Sequence, residues 1–189
     1  CSQQKWLPSR VLFISMNRKI SLPLLKKHLS SVVTRRIRPL DYVQGERTGE
    51  GIFKSVNGAK YTGQFRDGLR NGQGTFIWKN GDIYVGNWKD DLQDGRGKLT
   101  KKSGDIFEGE FRKGQVNGEV IIHYANGNRF KGVYRNGKRE GACIEETKEG
   151  KRFEGTYRND RRDGKFVEKD RNGQVTARGT YENGKRFED

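Results

Sequence analysis

The hydrophobic positions of the chain recur with a fixed period from about residue 40 onward. Glycines lie 23 residues apart at Gly63, Gly86, Gly109, Gly132 and Gly155. Each has an aromatic residue two positions before it and two after it: Tyr61, Phe65, Tyr84, Trp88, Phe107, Phe111, Phe130, Tyr134, Phe153 and Tyr157. Two further glycines per period keep the spacing, in series that begin at Gly72 and at Gly81. This regularity predicts a repeat protein with units of 23 residues.

Each unit has the pattern of a β-hairpin. In Tyr61-Thr62-Gly63-Gln64-Phe65 the aromatic residues and the glycine share one face, because strand side chains alternate. A loop over 66–71 and a second strand over 74–78 are expected next. Asn-Gly pairs such as Asn80-Gly81 then favour tight turns. The pattern predicts an all-β fold, an elongated single-layer antiparallel meander with one aromatic face and one solvated face.

The units are not equal along the chain. A partial repeat over 40–60 precedes units at 61–83, 84–106, 107–129, 130–152 and 153–175, and a partial repeat at 176–187 follows. Phe53, Phe76, Leu99 and Ile122 hold one apolar position, which Glu145 and Glu168 take later. We therefore expect the apolar face to be best formed over about 50–135, with lower local stability towards the C-terminus unless something covers it there.

Composition agrees with a thin core. Hydrophobic residues make up 31% of the 189 residues and mean hydropathy is −1.02, but 26 glycines and 20 aromatic residues fit the repeat. No apolar run is long enough to span a membrane. Two cysteines, Cys1 and Cys143, exclude a disulfide framework.

Charge divides the chain into two parts. The net charge is +15, of which an acid-free N-terminal arm, residues 1–39, carries +9 and the repeat region +6. Within the arm, Ser21-Leu22-Pro23 predicts a helix start, and the apolar stripe that follows predicts an amphipathic helix over about 22–34. Three roles remain open for it: a cap on the aromatic face, a segment that binds a membrane surface or acidic partner, or a mitochondrial targeting segment beginning near Met16.

The repeat unit resembles the MORN repeat, whose pattern is Tyr-x-Gly-x-Phe/Trp followed by spaced glycines and an Asn/Asp-Gly turn. Residues 61–74 match at every specified position, whereas Asp91 and Asp160 stand where glycine is usual. The resemblance implies an elongated single-layer β array that acts as a scaffold, dimerisation surface or targeting module. Family members occur in cytoskeletal and ciliary assemblies and at membrane junctions, and the family has been linked to acidic phospholipids.

No catalytic set is present in the sequence pattern. His28 and His123 are isolated, Cys143 occupies a repeat position that is elsewhere glycine or valine, and no glycine-rich phosphate loop occurs. We therefore predict a protein that is not an enzyme and has no cofactor, metal or small-molecule substrate.

Two sets of residues are candidates for binding. The protein-binding candidates are Tyr61, Phe65, Trp78, Tyr84, Trp88, Phe107, Phe111, Phe130 and Tyr134. The candidates for an acidic partner or lipid are a cation row in the repeats, Arg66, Lys89, Arg112, Arg135 and Arg158, with Lys26, Lys27, Arg35 and Arg36 of the arm. Nucleic acid is less favoured, because no stacking pattern accompanies the row.

The function expected from these features is a non-enzymatic scaffold or adaptor within a cytoskeletal, ciliary or membrane-associated assembly. The protein partner is expected to be another protein, or a second copy of the chain in a homodimer. The alternatives are a module that targets anionic phospholipid and a structural subunit of a mitochondrial or ribonucleoprotein complex. The expected location is cytoplasmic, at the cytoskeleton or a membrane, with mitochondria as the alternative.

Overall fold

All regular elements that the structure describes are β-strands. The computed structural model describes residues 41–43 and 46–189; the predicted arm and its helix lie outside these residues. The strands are β1 (Asp41–Val43), β2 (Glu46–Lys54), β3 (Lys60–Arg66), β4 (Leu69–Ile77), β5 (Ile83–Lys89), β6 (Leu92–Thr100), β7 (Ile106–Arg112), β8 (Gln115–His123), β9 (Arg129–Arg135), β10 (Lys138–Glu146), β11 (Arg152–Arg158), β12 (Arg161–Arg162), β13 (Gly164–Lys169), β14 (Val175–Glu182) and β15 (Lys185–Glu188).

The strands form one antiparallel sheet in chain order. Fourteen of them follow the path β1 to β11 and then β13 to β15, and the two-residue β12 pairs with β11 beside that path. Each strand therefore meets the strands next to it in sequence. This order confirms the predicted single-layer meander.

Two kinds of tight turn connect the strands. Asp67 and Gly68 have φ angles of 52° and 78°, the left-handed pair that a two-residue hairpin turn requires. The loop expected over 66–71 is therefore wrong, because β4 begins at Leu69. At the other end of the unit, the Gly81 N–H donates to Trp78 O at 3.0 Å and the Trp78 N–H donates to Asp82 O at 2.9 Å.

Side chains at both ends of the strands link each repeat to the next. Asp82 Oδ1 accepts the Lys102 N–H at 2.9 Å, and Asp105 Oδ1 accepts the Ala125 N–H at 2.8 Å. At the opposite ends, Asn117 Oδ1 accepts the Asn136 N–H at 3.2 Å. These bonds satisfy turn amides that neighbouring strands do not reach.

The buried core runs along nearly the whole array. One cluster contains Tyr61, Phe65, Tyr84, Trp88 and Phe111. A second contains Val120, Ile122, Phe130, Cys143, Phe153, Tyr157, Phe166 and Tyr181. The expectation that the apolar face is best formed over 50–135 is therefore wrong, because buried aromatic residues continue to Tyr181.

Candidate interaction surfaces

The predicted protein-binding aromatic residues lie together, and most of them form the core. Six are buried, with exposures between 0% and 9%: Tyr61, Phe65, Tyr84, Trp88, Phe111 and Phe130. Trp78, Phe107 and Tyr134 are half-buried. The rings meet edge to face in series, with centroid distances such as 5.4 Å for Tyr61 to Trp88 and 5.3 Å for Tyr84 to Trp88. Their role in partner binding stays a prediction.

Glycine pairs make room for the tyrosine rings. Gly63 and Gly74 are direct cross-strand partners, and a Cβ at Gly74 would lie 2.5 Å from Cζ of Tyr61. The Tyr61 hydroxyl donates to Gln64 O at 2.9 Å, and the Tyr84 hydroxyl donates to Asn87 O at 3.1 Å. Burial raises the pKa of Tyr61 to about 12. These rings are buried in a single sheet because each ring lies against the backbone of a glycine pair in that sheet.

Later repeats fill the same space with a different pair. The first aromatic residue becomes phenylalanine, and the second glycine becomes a larger residue: Phe107 with Val120, Phe130 with Cys143, and Phe153 with Phe166. A phenylalanine ring lacks the hydroxyl, so the neighbouring side chain takes that volume. Cys143 is buried here, and burial raises the pKa of its thiol to about 11, which fits a packing role.

A row of arginines covers the core, and none of these arginines was among the candidates predicted from the sequence. Cζ of Arg70 lies 4.5 Å from the centroid of the Trp88 ring, and Cζ of Arg139 lies 4.2 Å from the centroid of the Tyr157 ring. Arg162 lies over Phe153 at 3.7 Å, and Arg186 over Phe166 at 4.7 Å. Guanidinium groups over aromatic faces add cation–π attraction and shield the rings from water.

Acidic partners fix these arginines and explain two departures from the repeat. The Arg70 N–H and Nε both donate to Asp91 Oδ1, at 2.9 and 2.8 Å. The Arg139 N–H and Nε bond Asp160 in the same way, at 2.9 and 3.2 Å. Arg70 and Arg139 occupy the same position in their repeats. Asp91 and Asp160 lie in the following repeats, each 21 residues after its arginine. That pairing was the sequence signal for the row.

The glutamates that replaced apolar residues belong to the same network. Arg162 Nη2 donates to Glu145 Oε2 at 2.7 Å. Both terminal nitrogens of Arg186 donate to Glu168, at 2.9 and 3.0 Å. Glu145 and Glu168 therefore hold guanidinium groups over the rings where Phe76 or Ile122 would pack directly. An ion pair on an aromatic ring replaces the apolar contact.

The predicted cation row lies exposed at one end of the strands. Arg66, Lys89, Arg112, Arg135 and Arg158 are the last residues of alternate strands, β3 to β11. Arg66 Nη2 lies 3.9 Å from Asp90 Oδ1, and Arg158 Nε lies 3.0 Å from Asp163 Oδ2. Within the described residues, Lys89, Arg112 and Arg135 form no ion pair. The arm candidates Lys26, Lys27, Arg35 and Arg36 lie outside the described residues.

An open groove crosses the sheet face opposite the aromatic row. It has a volume of about 810 Å³ and extends over β6 to β10. Its floor is a line of directly opposed residues, one per strand: Lys98, Glu108, Ile121, Lys131 and Ile144. Val133 and Ala142 add apolar surface, and Val133 is 37% exposed. The sequence pattern described this face only as solvated.

Charges in the groove balance. Its lining includes three cations, Arg96, Lys98 and Lys131, and three acids, Glu108, Glu110 and Glu119. Lys98 Nζ lies 2.6 Å from Glu108, and this hydrogen bond lowers the pKa of the Glu108 carboxyl. The groove therefore exerts little net attraction on a charged ligand, and its apolar end, around Ile121, Val133 and Ile144, is the part that water wets least well.

Among residues 48–189, whose side chains the structure describes, there is no cluster of three or more metal-ligating side chains. Across the same residues, no helix is long and apolar enough to cross a membrane.

Comparisons with known proteins identify the repeat. The family model described as MORN repeat matches six consecutive segments, residues 41–60, 61–83, 84–106, 107–129, 130–152 and 153–175. No curated protein matches the chain. One solved structure with a partial likeness is the TCP domain of SAS-4 (dCPAP) of Drosophila melanogaster, in complex with a proline-rich motif of Ana2 (dSTIL). It is 16% identical, covers 85% of this chain and 99% of its own, and has a TM-score of 0.45.

A second partial likeness is a mutant of the TCP10 domain of Danio rerio CPAP. It is 14% identical, covers 71% of this chain and 74% of its own, and has a TM-score of 0.23. Both scores are low, so neither structure bears on what this chain binds.

Proposed function

The chain belongs to the MORN-repeat family, and from that premise we propose that it is a non-enzymatic scaffold that binds another protein in the groove over β6 to β10. The observation that carries this proposal is the open apolar surface of Ile121, Val133 and Ile144 on a face that no second layer covers within the described residues. Apolar side chains in a groove with a polar rim offer a surface on which the apolar side chains of a partner can be buried. The buried aromatic row then serves as the rigid support beneath the groove.

A protein segment suits the groove better than a lipid headgroup or nucleic acid does. The balanced charges give no strong field for a polyanion. Ile121 and Ile144 lie on β8 and β10, two strands apart, which is about 10 Å. Two apolar side chains separated by two helical turns, about 10.5 Å, match this spacing. We propose that the assembly is cytoskeletal, ciliary or membrane-associated, as the family resemblance implies.

The test is quantitative affinity capture with the full chain, comparing the wild type with an Ile121→Glu, Val133→Glu double variant. The control is Val85→Glu, which adds a charge at a 49% exposed position on the same face outside the groove. A partner that is recovered in constant ratio with the wild type and control, and lost with the groove variant, supports the proposal. Equal recovery by the groove variant would refute it. Trp88→Ala is unsuitable as a probe, because Trp88 is a core residue at 4% exposure.

The exposed cation row supports a second candidate function, binding to anionic phospholipid. Five cations recur along one end of the strands, and repeats of two strands place them about 10 Å apart. The test is sedimentation with vesicles of phosphatidylcholine, with and without phosphatidylserine, at low and physiological salt. Arg112→Glu with Arg135→Glu should abolish binding. The control, Lys165→Glu with Arg171→Glu, makes the same charge change away from the row, and equal loss with it would refute a role of the row.

A further inference from the structure

We infer that the groove over β6 to β10 recognises an amphipathic helix of a partner protein whose side chains follow a fixed order: an acid, then a base, then two apolar residues. This inference rests on the proposed function, because it specifies the kind of protein segment that the groove binds. The order follows from the way in which charged and apolar residues are distributed over the five strands.

Two lines of side chains border the groove. The first is its floor, which runs from Lys98 on β6 to Ile144 on β10. Each residue of the second line lies two positions from a floor residue on the same strand, and it therefore points to the same face. From β6 to β10 this second line consists of Arg96, Glu110, Glu119, Val133 and Ala142. Each strand thus contributes two side chains to the groove.

The groove is neutral as a whole, but its charges are separated along its length. β6 contributes two cations, β7 contributes two acids, and β8 contributes a third acid next to Ile121. β9 contributes Lys131 and Val133. β10 contributes only the apolar pair Ala142 and Ile144. A ligand that crosses the strands therefore passes a cationic end, an acidic middle and a mostly apolar end.

Most of these charges have no ion-pair partner among the residues that the structure describes. Of the six charged residues in the groove, only Lys98 and Glu108 form an ion pair with a described residue. Arg96 and Glu110 lie opposite each other on adjacent strands, whereas Glu119 lies opposite an apolar residue. The acidic middle therefore holds one carboxylate more than the cations of β6 can match, and a base on the ligand would neutralise it.

The spacing fits a helix that lies across the strands. Adjacent strands are about 4.8 Å apart, so the acids of β7 and β8 lie about 5–10 Å from β6, and β9 and β10 lie about 14–19 Å from it. Positions i, i+4, i+8 and i+11 share one face of a helix, at about 0, 6, 12 and 16.5 Å along its axis. An acid at i then lies over β6 and a base at i+4 over the acids. Apolar residues at i+8 and i+11 lie near Ile121, Val133 and Ile144.

Exchanging the acid and the base of the ligand opposes binding. A base at i would meet Arg96 and Lys98, and an acid at i+4 would meet Glu110 and Glu119. Like charges brought together in an interface disfavour the complex. The charge order of the groove therefore supplies specificity by repulsion as well as by attraction, while the apolar end supplies contact that does not depend on charge.

Two stapled peptides of identical composition test the charge order. The first has glutamate at i, arginine at i+4 and leucine at i+8 and i+11, and the second exchanges the glutamate and the arginine. A hydrocarbon staple on the far face gives both the same helicity, which circular dichroism verifies. In anisotropy titrations with the full chain at low salt, the second peptide should bind at least about tenfold more weakly than the first. Added salt should reduce this difference.

A charge exchange in the protein should reverse the preference for the two peptides. The variant exchanges two cross-strand pairs and keeps the net charge of the groove: Arg96→Glu, Lys98→Glu, Glu108→Lys and Glu110→Lys. All four side chains are exposed, so the fold should tolerate the change, and far-UV circular dichroism checks this. The variant should bind the second peptide at least about tenfold more tightly than the first.

A second pair of variants tests whether the peptide lies in the groove. Ile121→Glu with Val133→Glu should abolish binding of the first peptide to the otherwise unchanged chain. The matched control is Ile52→Glu with Val175→Glu, which adds the same charges at two positions that are 46% exposed and lie outside the groove. This control should bind the first peptide as the wild type does.

Four results would overturn the inference. They are absence of binding of the first peptide, equal binding of both peptides, the same preference in the charge-exchanged variant, and binding that survives the change at Ile121 and Val133. Sedimentation velocity and vesicle binding examine other occupants. A wild-type dimer that dissociates in the Ile121→Glu, Val133→Glu variant would assign the groove to a second copy. Vesicle binding that this variant loses would assign it to lipid, and either result would contradict the inference.

Capture of the partner separates failure of this inference from failure of the proposed function. The first peptide should displace the captured partner, and the second should not do so at the same concentration. If the first peptide neither binds nor displaces the partner while recovery still depends on Ile121 and Val133, the charge order is refuted and the groove remains a partner site. If recovery does not depend on these residues either, both proposals fail.

Discussion

Replacing Gly74 by alanine should destabilise the array, and replacing Tyr61 by phenylalanine in the same chain should restore part of the loss. The φ angle of Gly74 lies outside the left-handed region, so alanine meets no backbone strain there. The new Cβ would instead lie 2.5 Å from Cζ of a ring that is 0% exposed. Overpacking of this kind costs about 1–3 kcal/mol.

The phenylalanine variant removes the constraint that holds the ring in place. The Tyr61 hydroxyl donates to Gln64 O at 2.9 Å, and losing such a bond costs about 0.5–1.5 kcal/mol. In the double variant the ring can withdraw from the alanine, as Phe130 accommodates Cys143 in a later repeat. We therefore expect the free energy of unfolding of the double variant to be higher, by about 1 kcal/mol, than the value obtained by adding the effects of the two single changes.

Urea unfolding of the four chains, followed by tryptophan fluorescence and far-UV circular dichroism, measures this coupling. A second cycle that combines Gly74→Ala with Tyr181→Phe serves as the control, because Tyr181 belongs to the other core cluster and the two effects should add. Additive effects of Gly74→Ala and Tyr61→Phe, within experimental error, would refute the claim that the second glycine makes room for the tyrosine.

Three further changes test the core, the turns and the repeat links. Trp88→Ala should lower the free energy of unfolding by about 3–5 kcal/mol in urea titrations, because it empties a buried site; an unchanged midpoint would contradict this. Asp91→Ala should be less stable than Asp91→Gly by about 1–2 kcal/mol, since both lose the bonds from Arg70 but only glycine adopts a φ of 68° without strain. The hydrogen bond from Lys101 lowers the pKa of the Asp82 carboxyl below its unfolded value, so its stabilisation is complete above the unfolded pKa and is lost as pH falls through the folded one. Asp82→Asn should therefore flatten the acid limb of a stability–pH curve, and an unchanged acid limb would contradict this role.

Much of the fold was predictable because its interactions are local. Strands that are neighbours in sequence are neighbours in the sheet, so alternation and turn residues within 23 residues suffice to predict the meander. Contacts between side chains of different repeats could not be predicted in this way. Arg70 with Asp91 and Arg162 with Glu145 join positions 21 and 17 residues apart. Asp91 and Glu145 depart from the repeat pattern, but the repeat that contains each acid does not show which arginine it binds.

The candidate site was predicted less well, for a physical reason. An aromatic residue on one face of a single sheet was expected to be accessible, but Tyr61 and Tyr84 are 0% exposed because each ring lies on a glycine pair and meets the rings of adjacent units. The groove over β6 to β10 depends on the cross-strand register of five strands. Residues such as Ile121 and Val133 gave no signal, because their side chains come together only across the sheet.

The amino-acid sequence by itself determined the repeat, the strand order and the turns that end the repeat units, because glycine spacing and side-chain alternation act over a few residues. Only the tertiary structure decided which side chains are buried and which face is open. Burial depends on how neighbouring repeats pack, and that packing made the aromatic row a core, made arginines its cover, and left the groove on the opposite face accessible.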